Sequence, residues 1–393
     1  MADELDVDPF ADTAFGDVRD PYPDYAVKRR DQPVEVIEFY GQKTHKVYRY
    51  TDIEAILRDP ETFSSELYMN SMGIVMGPTV LGMDGREHHS HRGLVASAFR
   101  RRAIEEWTTS LIDPTVQELI DRFSGRGNAD LVREFTFQFP IRIIAKMLGI
   151  PSEDYGRFSR LSIELISIAV APEKGMAASA ALRDYFSEIV EQRRNDPKDD
   201  LISTLATTEI EGERLPDEHI YGFLRLLLPA GAETTYRLLG NLLFGLLTNT
   251  EQLGELTADR SLLSNGIEEA LRWEAPVQVV AREPKHDVEI AGFPIPAGAA
   301  ITLCLGSANR DDAVFDDPDR FDLHRDAHAH LAFAEGPHRC LGEHLARAET
   351  TAAINALLDR LEGLRLDPGD TDPHVHGLAF RSPTALPVTF RPA

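Results

Sequence analysis

The sequence predicts a mainly α protein with a minor β portion, folded as a single large domain over residues 1–393. Three observations carry this. Helical patterning dominates residues 51–272. Two β-like patches, 33–50 and 288–306, flank that stretch, and strands so far apart must meet in space or stay unpaired. No repeat, low-complexity tract or Pro/Gly/Ser linker divides the chain.

The elements follow in chain order. The first residues, MADELDVDPFADTAF, are acidic and lack the apolar core of a signal peptide. VEVIEFY and THKVYRY flank Gly41-Gln42 and read as two strands around a turn. A long helix is expected from Pro216 to about Asn249, with Pro216, Asp217 and Glu218 forming a good first turn. At 1.5 Å per residue it would span roughly 50 Å, the length of a spine through the fold. Its centre, PAGAETT (229–235), is poor helix, because Pro229 lacks an amide hydrogen and clashes with the carbonyl four residues back. A kink without chemistry and a functional break both fit. VEIAGFPIPAGAAITLCLG (288–306) reads as strands with turns at Gly292 and at Pro296 to Gly298. A last helix covers 342–361, with Ile354, Leu358 and Leu361 at helical spacing and Arg347, Glu349, Asp359 and Arg360 on other faces.

Composition excludes several functions. The chain has 41 Lys and Arg against 65 Asp and Glu, a net charge of −24. That excess disfavours nucleic acid and anionic membrane surfaces as partners. With 42% apolar and 27% charged residues, the chain is not a disordered one. Two cysteines support neither a disulfide framework nor a four-cysteine zinc site. The longest apolar region, 223–247, is broken by Arg225, Glu233 and Arg237, so it is no membrane span. A soluble, cytoplasmic protein is expected.

Cys340 lies in HLAFAEGPHRCLGEHLARAE (330–349). The segment before it is irregular, and a helix begins near Leu341 to Gly342. A cysteine at a helix start faces free amides and the positive dipole end, which favour the thiolate. Arg339 and His338 add positive potential. Gly336 and Gly342 leave room for something flat, and Phe333 could pack beside it. The alternative is a buried inert cysteine, which Cys304 in AITLCLG fits well.

FAEGPHRCLGEHLAR resembles the haem-ligand signature of the cytochrome P450 family, Phe-Gly-x-Gly-x-His-x-Cys-x-Gly. Phe333, Gly336, His338, Cys340 and Gly342 match, while Ala334 replaces the first glycine. The resemblance covers nearly the whole chain and implies about a dozen helices. It makes Cys340 the axial ligand to the iron of haem b (iron protoporphyrin IX), in a ligand loop at 333–342. AGAETT (230–235) resembles the family's oxygen-binding stretch, with Glu233 and Thr234 as the acid–alcohol pair that relays protons. Ala230 and Gly231 are small enough to let the helix approach the haem. Pro229 is outside the common pattern and would widen the helix or bend it. Glu269 and Arg272 match the Glu-x-x-Arg pair, which a further arginine joins; Arg320 in DPDRF is the expected match.

Three histidines in HHSHR (88–92) read in isolation as a metal site or a polar helix start. The resemblance instead assigns His88 and Arg92 to a haem propionate, with Arg282 and His338 as further contacts. The tract HRDAHAH (324–330) has loop composition and reads as solvated.

The resemblance thus implies a haem-thiolate monooxygenase acting on O2 and a hydrophobic small molecule. A peroxide-driven peroxygenase is an alternative, disfavoured by the intact Glu233-Thr234 pair. A non-catalytic haem sensor is another, disfavoured because no signalling or DNA-binding segment is read. Soluble bacterial members imply a separate ferredoxin and an NAD(P)H-dependent ferredoxin reductase. Their docking patch is expected at Arg100, Arg101, Arg102 and Arg339, a solvated basic turn being the alternative. The substrate pocket is expected to draw on Met69, Met72, Met76, Leu226, Val277, Val280 and Phe380, and the protein to be a monomer.

Overall fold

The central helix organises the structure. After Pro216, whose ring suits a helix start, it runs as α-helix Asp217–Leu227. It then widens into a π-helical segment, Leu228–Glu233, and continues as α-helix Thr234–Thr248. The expected Pro216–Asn249 helix is therefore present, and its poor centre is a wide turn. Pro229 explains the widening: it cannot donate to the Arg225 carbonyl, which takes the Leu228 amide instead.

Leu224, Leu228, Leu239, Leu242 and Leu246 along this helix are buried in one core with Ile267 and Leu271 of helix Leu263–Trp273. Ala353, Ile354 and Leu357 of helix Glu343–Arg360 join them. Each large apolar side chain so buried contributes roughly 1.5–3 kcal/mol.

The computed structural model describes residues 17–39, 42–96, 99–169, 171–210, 212–369 and 372–392. The acidic first residues and Gly41 of the expected turn lie outside them. Among the described residues there are about 13 helices, and 58% of the structure is helical, so the mainly α reading holds. No helix among the described residues is long and apolar enough to cross a membrane.

The strands from the two ends of the chain do meet. β1 (Val34–Phe39), β2 (Gln42–Val47), β3 (Phe63–Ser64), β4 (Val279–Pro284) and β5 (Ala300–Cys304) form one sheet in the order β1-β2-β5-β4-β3. β5 runs parallel to β2, with Leu303 opposite Val47, and antiparallel to β4, with Ile301 opposite Arg282. Val288–Ile290 and Phe293–Ile295 form the expected hairpin, turning at Gly292 with φ +80°. Several strands lay beyond sequence patterning, β3, β4 and Asn128–Asp130 among them. β4 carries Arg282. Asn128–Asp130, inside the stretch read as helical, pairs with Pro387–Thr389; three residues are too few to show a period.

Candidate functional site

The loop before helix Glu343–Arg360 folds back on itself. The Cys340 amide donates to Phe333 O at 2.9 Å, and the Arg339 amide to Gly336 O at 3.0 Å. Gly336 sits at φ +72°, and a Cβ there would lie 2.2 Å from Leu57 O, so no other residue fits. Ala334 adopts φ +55°, the left-handed region that favours glycine. That is the position where the signature has its first glycine.

The helix begins at Glu343 with Gly342 as its N-cap, within a residue of the expected start. Its expected effect on the thiol is outweighed by burial. Burial pushes the Cys340 thiol up, while the Gly342 amide, Arg92 and Arg347 pull it down. Cys304 is fully buried, and burial pushes its thiol up to about 12, as an inert cysteine requires.

Groups from two further elements converge beside the loop. Helix Gly85–Ala96 supplies His88, whose ring lies 4.1 Å from that of His338. His88 Nε2 is buried without a hydrogen-bond partner. Arg92 Nη2, one turn on, donates to Arg339 O at 2.6 Å. Arg282 of β4 is buried and, among the described residues, donates only to Ala281 O, at 2.7 Å. His338 Nε2 lies 3.4 Å from Asp84 Oδ1. Burial, then His88 and Arg282, lower its pKa to about 4. Among the described residues neither Arg92 nor Arg282 has a carboxylate partner.

Two desolvated arginines and an orphaned imidazole nitrogen next to a cysteine call for a bound dianion. A haem, with two propionates and an iron, has the complementary chemistry, and the residues present fit it. The three histidines do not form a metal site. His89 is exposed, and His91 Nε2 pairs with His219 Nδ1 at 2.8 Å. No cluster of three or more His, Cys, Asp or Glu among the described residues is placed to hold a metal ion.

The central helix presents Ala230, exposed between the buried Leu228 and Ala232. The Thr234 hydroxyl donates to Ala230 O at 2.7 Å. Glu233 is 8% exposed and accepts from Arg237 Nη2 at 3.0 Å. Arg237 Nη1 in turn donates to Ser382 Oγ at 3.1 Å. Burial pushes the Glu233 carboxyl up, and Arg237 offsets part of that.

The family model for cytochrome P450 matches residues 165–385. The chain belongs to the cytochrome P450 family. It is a monooxygenase of that haem-thiolate family, an oxidoreductase. The monooxygenase PikC of Streptomyces venezuelae is 34% identical over 391 residues, covering 95% of this chain and 91% of its own. The vitamin D(3) 25-hydroxylase of Pseudonocardia autotrophica is 35% identical over 387 residues, 95% of this chain and 94% of its own. The crystal structure of CYP109E1 from Bacillus megaterium with testosterone superposes with a TM-score of 0.86 at 31% identity, covering 95% of this chain and 99% of its own.

In this P450 the Glu-x-x-Arg pair is fully buried: Arg272 Nε and Nη2 donate to the two Glu269 oxygens at 2.7 and 2.8 Å. The arginine that joins it is Arg325, not Arg320. Arg325 Nε donates to Glu269 Oε1 at 3.2 Å. The Arg320 side chain is 61% exposed and pairs with Asp317 and Asp322. Only its backbone carbonyl reaches the site, accepting from Arg272 at 3.2 Å.

The tract at 324–330 is solvated at His324 and His328, as expected, but not at its end. His330 is buried and hydrogen-bonds Glu268 Oε2 at 3.0 Å. Arg347 grips both Glu268 oxygens, at 2.6 and 2.9 Å, and lies over the Phe333 ring at 4.6 Å. Sequence reasoning missed this Glu268–Arg347–His330 brace for the ligand loop. Its one visible sign was Arg347 four residues after Glu343. Glu349, two residues further, is buried with Oε2 unpartnered.

The expected basic patch is interleaved with acids. Arg101 and Arg102 are fully solvated but pair with Glu105 and Glu106, and Arg339 sits between Glu335 and Glu343. Of the pocket residues, Val277 and Phe380 are brought together by a β-bridge. Leu226, Val280 and Met72 are half-buried. Met69 is exposed and folds over Gly82 in its own loop. Met76 is buried where its loop abuts Gly222 of the central helix, which leaves it little surface to offer a ligand.

Proposed function

We propose that this P450 holds haem b through the Cys340 thiolate and inserts one oxygen atom from O2 into a hydrophobic small molecule, by C–H hydroxylation or a related oxidation. The observation that carries the reading is the pair of buried arginines without a carboxylate partner, Arg92 and Arg282, with the unpartnered His88 Nε2, set beside Cys340. When bound, haem supplies the O2-activating chemistry, and its thiolate ligand favours O–O cleavage.

The chain's own residues would do the rest. Arg92, Arg282, His88 and His338 hold the propionates. Phe333, Ala230 and Gly342 bound the space for the macrocycle. The Gly342 amide stabilises negative charge on sulfur. Thr234 gives a hydroxyl facing the site at the wide turn. Glu233, kept dry and raised in pKa, can take up a proton and release it inward, while Arg237 holds it in place.

Electrons would come from a ferredoxin and its NAD(P)H-dependent reductase, docking near Arg100, Arg101, Arg102 and Arg339. The protein would act as a single-domain, cytoplasmic monomer. Relatives whose names state a substrate include a vitamin D(3) hydroxylase, and CYP109E1 was crystallised with testosterone. These support a large apolar substrate, bounded by Leu226, Met72, Val280, Val277 and Phe380.

The test is spectroscopic. The dithionite-reduced protein is exposed to carbon monoxide. A strongly red-shifted Soret band that is lost in Cys340→Ser supports the assignment; its absence from the wild type sinks it.

A further inference from the structure

Among the described residues Arg225 is a buried cation without a counter-ion. It is 5% exposed and lies on the central helix eight residues before Glu233. Its Nε donates to Tyr221 O at 3.1 Å. Its Nη1 donates to Val75 O at 3.3 Å and to Ser179 Oγ at 3.0 Å. All three acceptors are neutral. Nη2 has no hydrogen-bond partner among the described residues and is not sealed from open space. It lies over Gly77, where a Cβ would stand 3.2 Å away and where the backbone turns at φ +78°. Glycine at that position keeps the room above the guanidinium clear.

The charges around it do not neutralise it. Glu218, seven residues earlier on the same helix, is engaged by Arg183 from helix Pro172–Asn195. Arg183 itself is a like charge. The short helix Met72–Met76, which carries Val75, presents a carbonyl, not a carboxylate. A desolvated guanidinium left unpaired is unfavourable enough to need an explanation. The next residue, Leu226, borders the proposed pocket, and so does Met72 in that facing helix.

The geometry points to Arg225 as a specificity-determining residue: its free Nη2 receives a carboxylate oxygen of the substrate, so this site selects hydrophobic acids over neutral molecules of the same shape. The inference rests on the monooxygenase reading for the position of the pocket. An acid supplies the missing counter-ion, whereas its neutral analogue leaves Nη2 unpaired and displaces the water that can serve it. One charge-assisted hydrogen bond of this kind corresponds to a preference of about ten- to hundredfold.

The test uses calorimetric titration of the haem-loaded protein at pH 8 with two matched pairs: decanoate and decan-1-ol, lithocholate and its methyl ester. At least one acid is expected to bind about tenfold or more tightly than its neutral partner. Arg225→Gln should bring that ratio close to one by weakening the acid alone. If neither acid is preferred by the wild type, the proposal fails without recourse to a variant. It also fails if Arg225→Gln keeps the preference. It fails again if acid and neutral ligand weaken together, which would mark Arg225 as only a tie between helices. The carbon monoxide spectrum of the same sample separates the two readings. A red-shifted band without acid preference sinks the Arg225 assignment alone. Acid preference without that band sinks the haem-thiolate reading and leaves Arg225 standing.

Discussion

Replacing Arg325 by alanine should destabilise this P450 far more than replacing Arg320, and the structure sets the scale. Arg325 is 10% exposed and reaches Glu269, which is fully buried. It also donates to Asp317 O at 2.9 Å, Arg320 O at 3.3 Å and Asp316 O. Its removal deletes a charge-assisted bond to a desolvated carboxylate, about 1.5–3 kcal/mol, and leaves three carbonyls to water. Arg272 and the Asp322 amide still hold Glu269, at 2.7–2.9 Å, which keeps the loss below that of breaking the pair outright, about 3–5 kcal/mol. We expect about 2–3 kcal/mol for Arg325→Ala. Arg320 makes only exposed pairs, worth at most about 1 kcal/mol before screening. With an unfolding entropy of about 2.1 cal/mol/K per residue, a chain of 393 residues loses roughly 1 °C of Tm per kcal/mol, so urea unfolding resolves the pair better than melting does. A double-mutant cycle with Glu269→Gln should give a coupling above about 1 kcal/mol for Arg325 and near zero for Arg320. Equal losses for the two single variants, or coupling only to Arg320, would refute the reasoning.

Other outcomes follow from the same geometry. Ala334→Gly should stabilise the ligand loop by about 1 kcal/mol, because Ala334 holds a left-handed φ of +55°; unchanged or lower stability in urea would contradict this. Burial holds the Glu349 carboxyl well above its ordinary 4.5. An acid raised in the folded state loses stability as pH climbs from its unfolded value toward the folded one, so Glu349→Gln should gain on the wild type between pH 5 and 8. A pH-independent difference in Tm would show that the carboxylate carries no such penalty. Glu233→Gln should lower turnover by about 10²-fold or more and leave the carbon monoxide spectrum intact, since it removes only the proton carrier; turnover within twofold of wild type would remove Glu233 from that role. Charge reversal at Arg100, Arg101 and Arg102 should slow reduction by ferredoxin, most at low salt. Stopped-flow rates that match the wild type in 20 mM and 200 mM salt would move the docking site elsewhere.

Contiguous spacing made much of the site legible. Cys340 with its flanking glycines, Glu269 with Arg272, His88 with Arg92, and Glu233 with Thr234 each lie within one loop or helix turn, where spacing decides what can meet. What escaped depends on chain reversal. Arg320 and Arg325 both lie in the irregular stretch between helix Leu305–Ala308 and the ligand loop, and Asp317 at φ +46° turns that stretch so that one presents a carbonyl and the other its side chain. His330 looked solvated because its partner, Glu268, is 62 residues away. β4 reads as irregular until β5 and β3 pair with it on either side. The acidity of Glu349 could not be foreseen either, since helix phase alone does not say that its face is covered.

The wide turn at Leu228–Glu233 has a consequence for how such a helix can change. An α-helix advances about 100° per residue. A π segment absorbs one extra residue within its own turn, so the stretch bearing Arg225 and Leu226 and the stretch bearing Thr234 keep the mutual facing of an α-helix one residue shorter. Removing one residue of that turn, Pro229 for instance, would let it close to α without the swing of about 100° that a deletion elsewhere in the helix would impose. The wide turn is thus a place where this helix can change length and still present the same lining to the ligand.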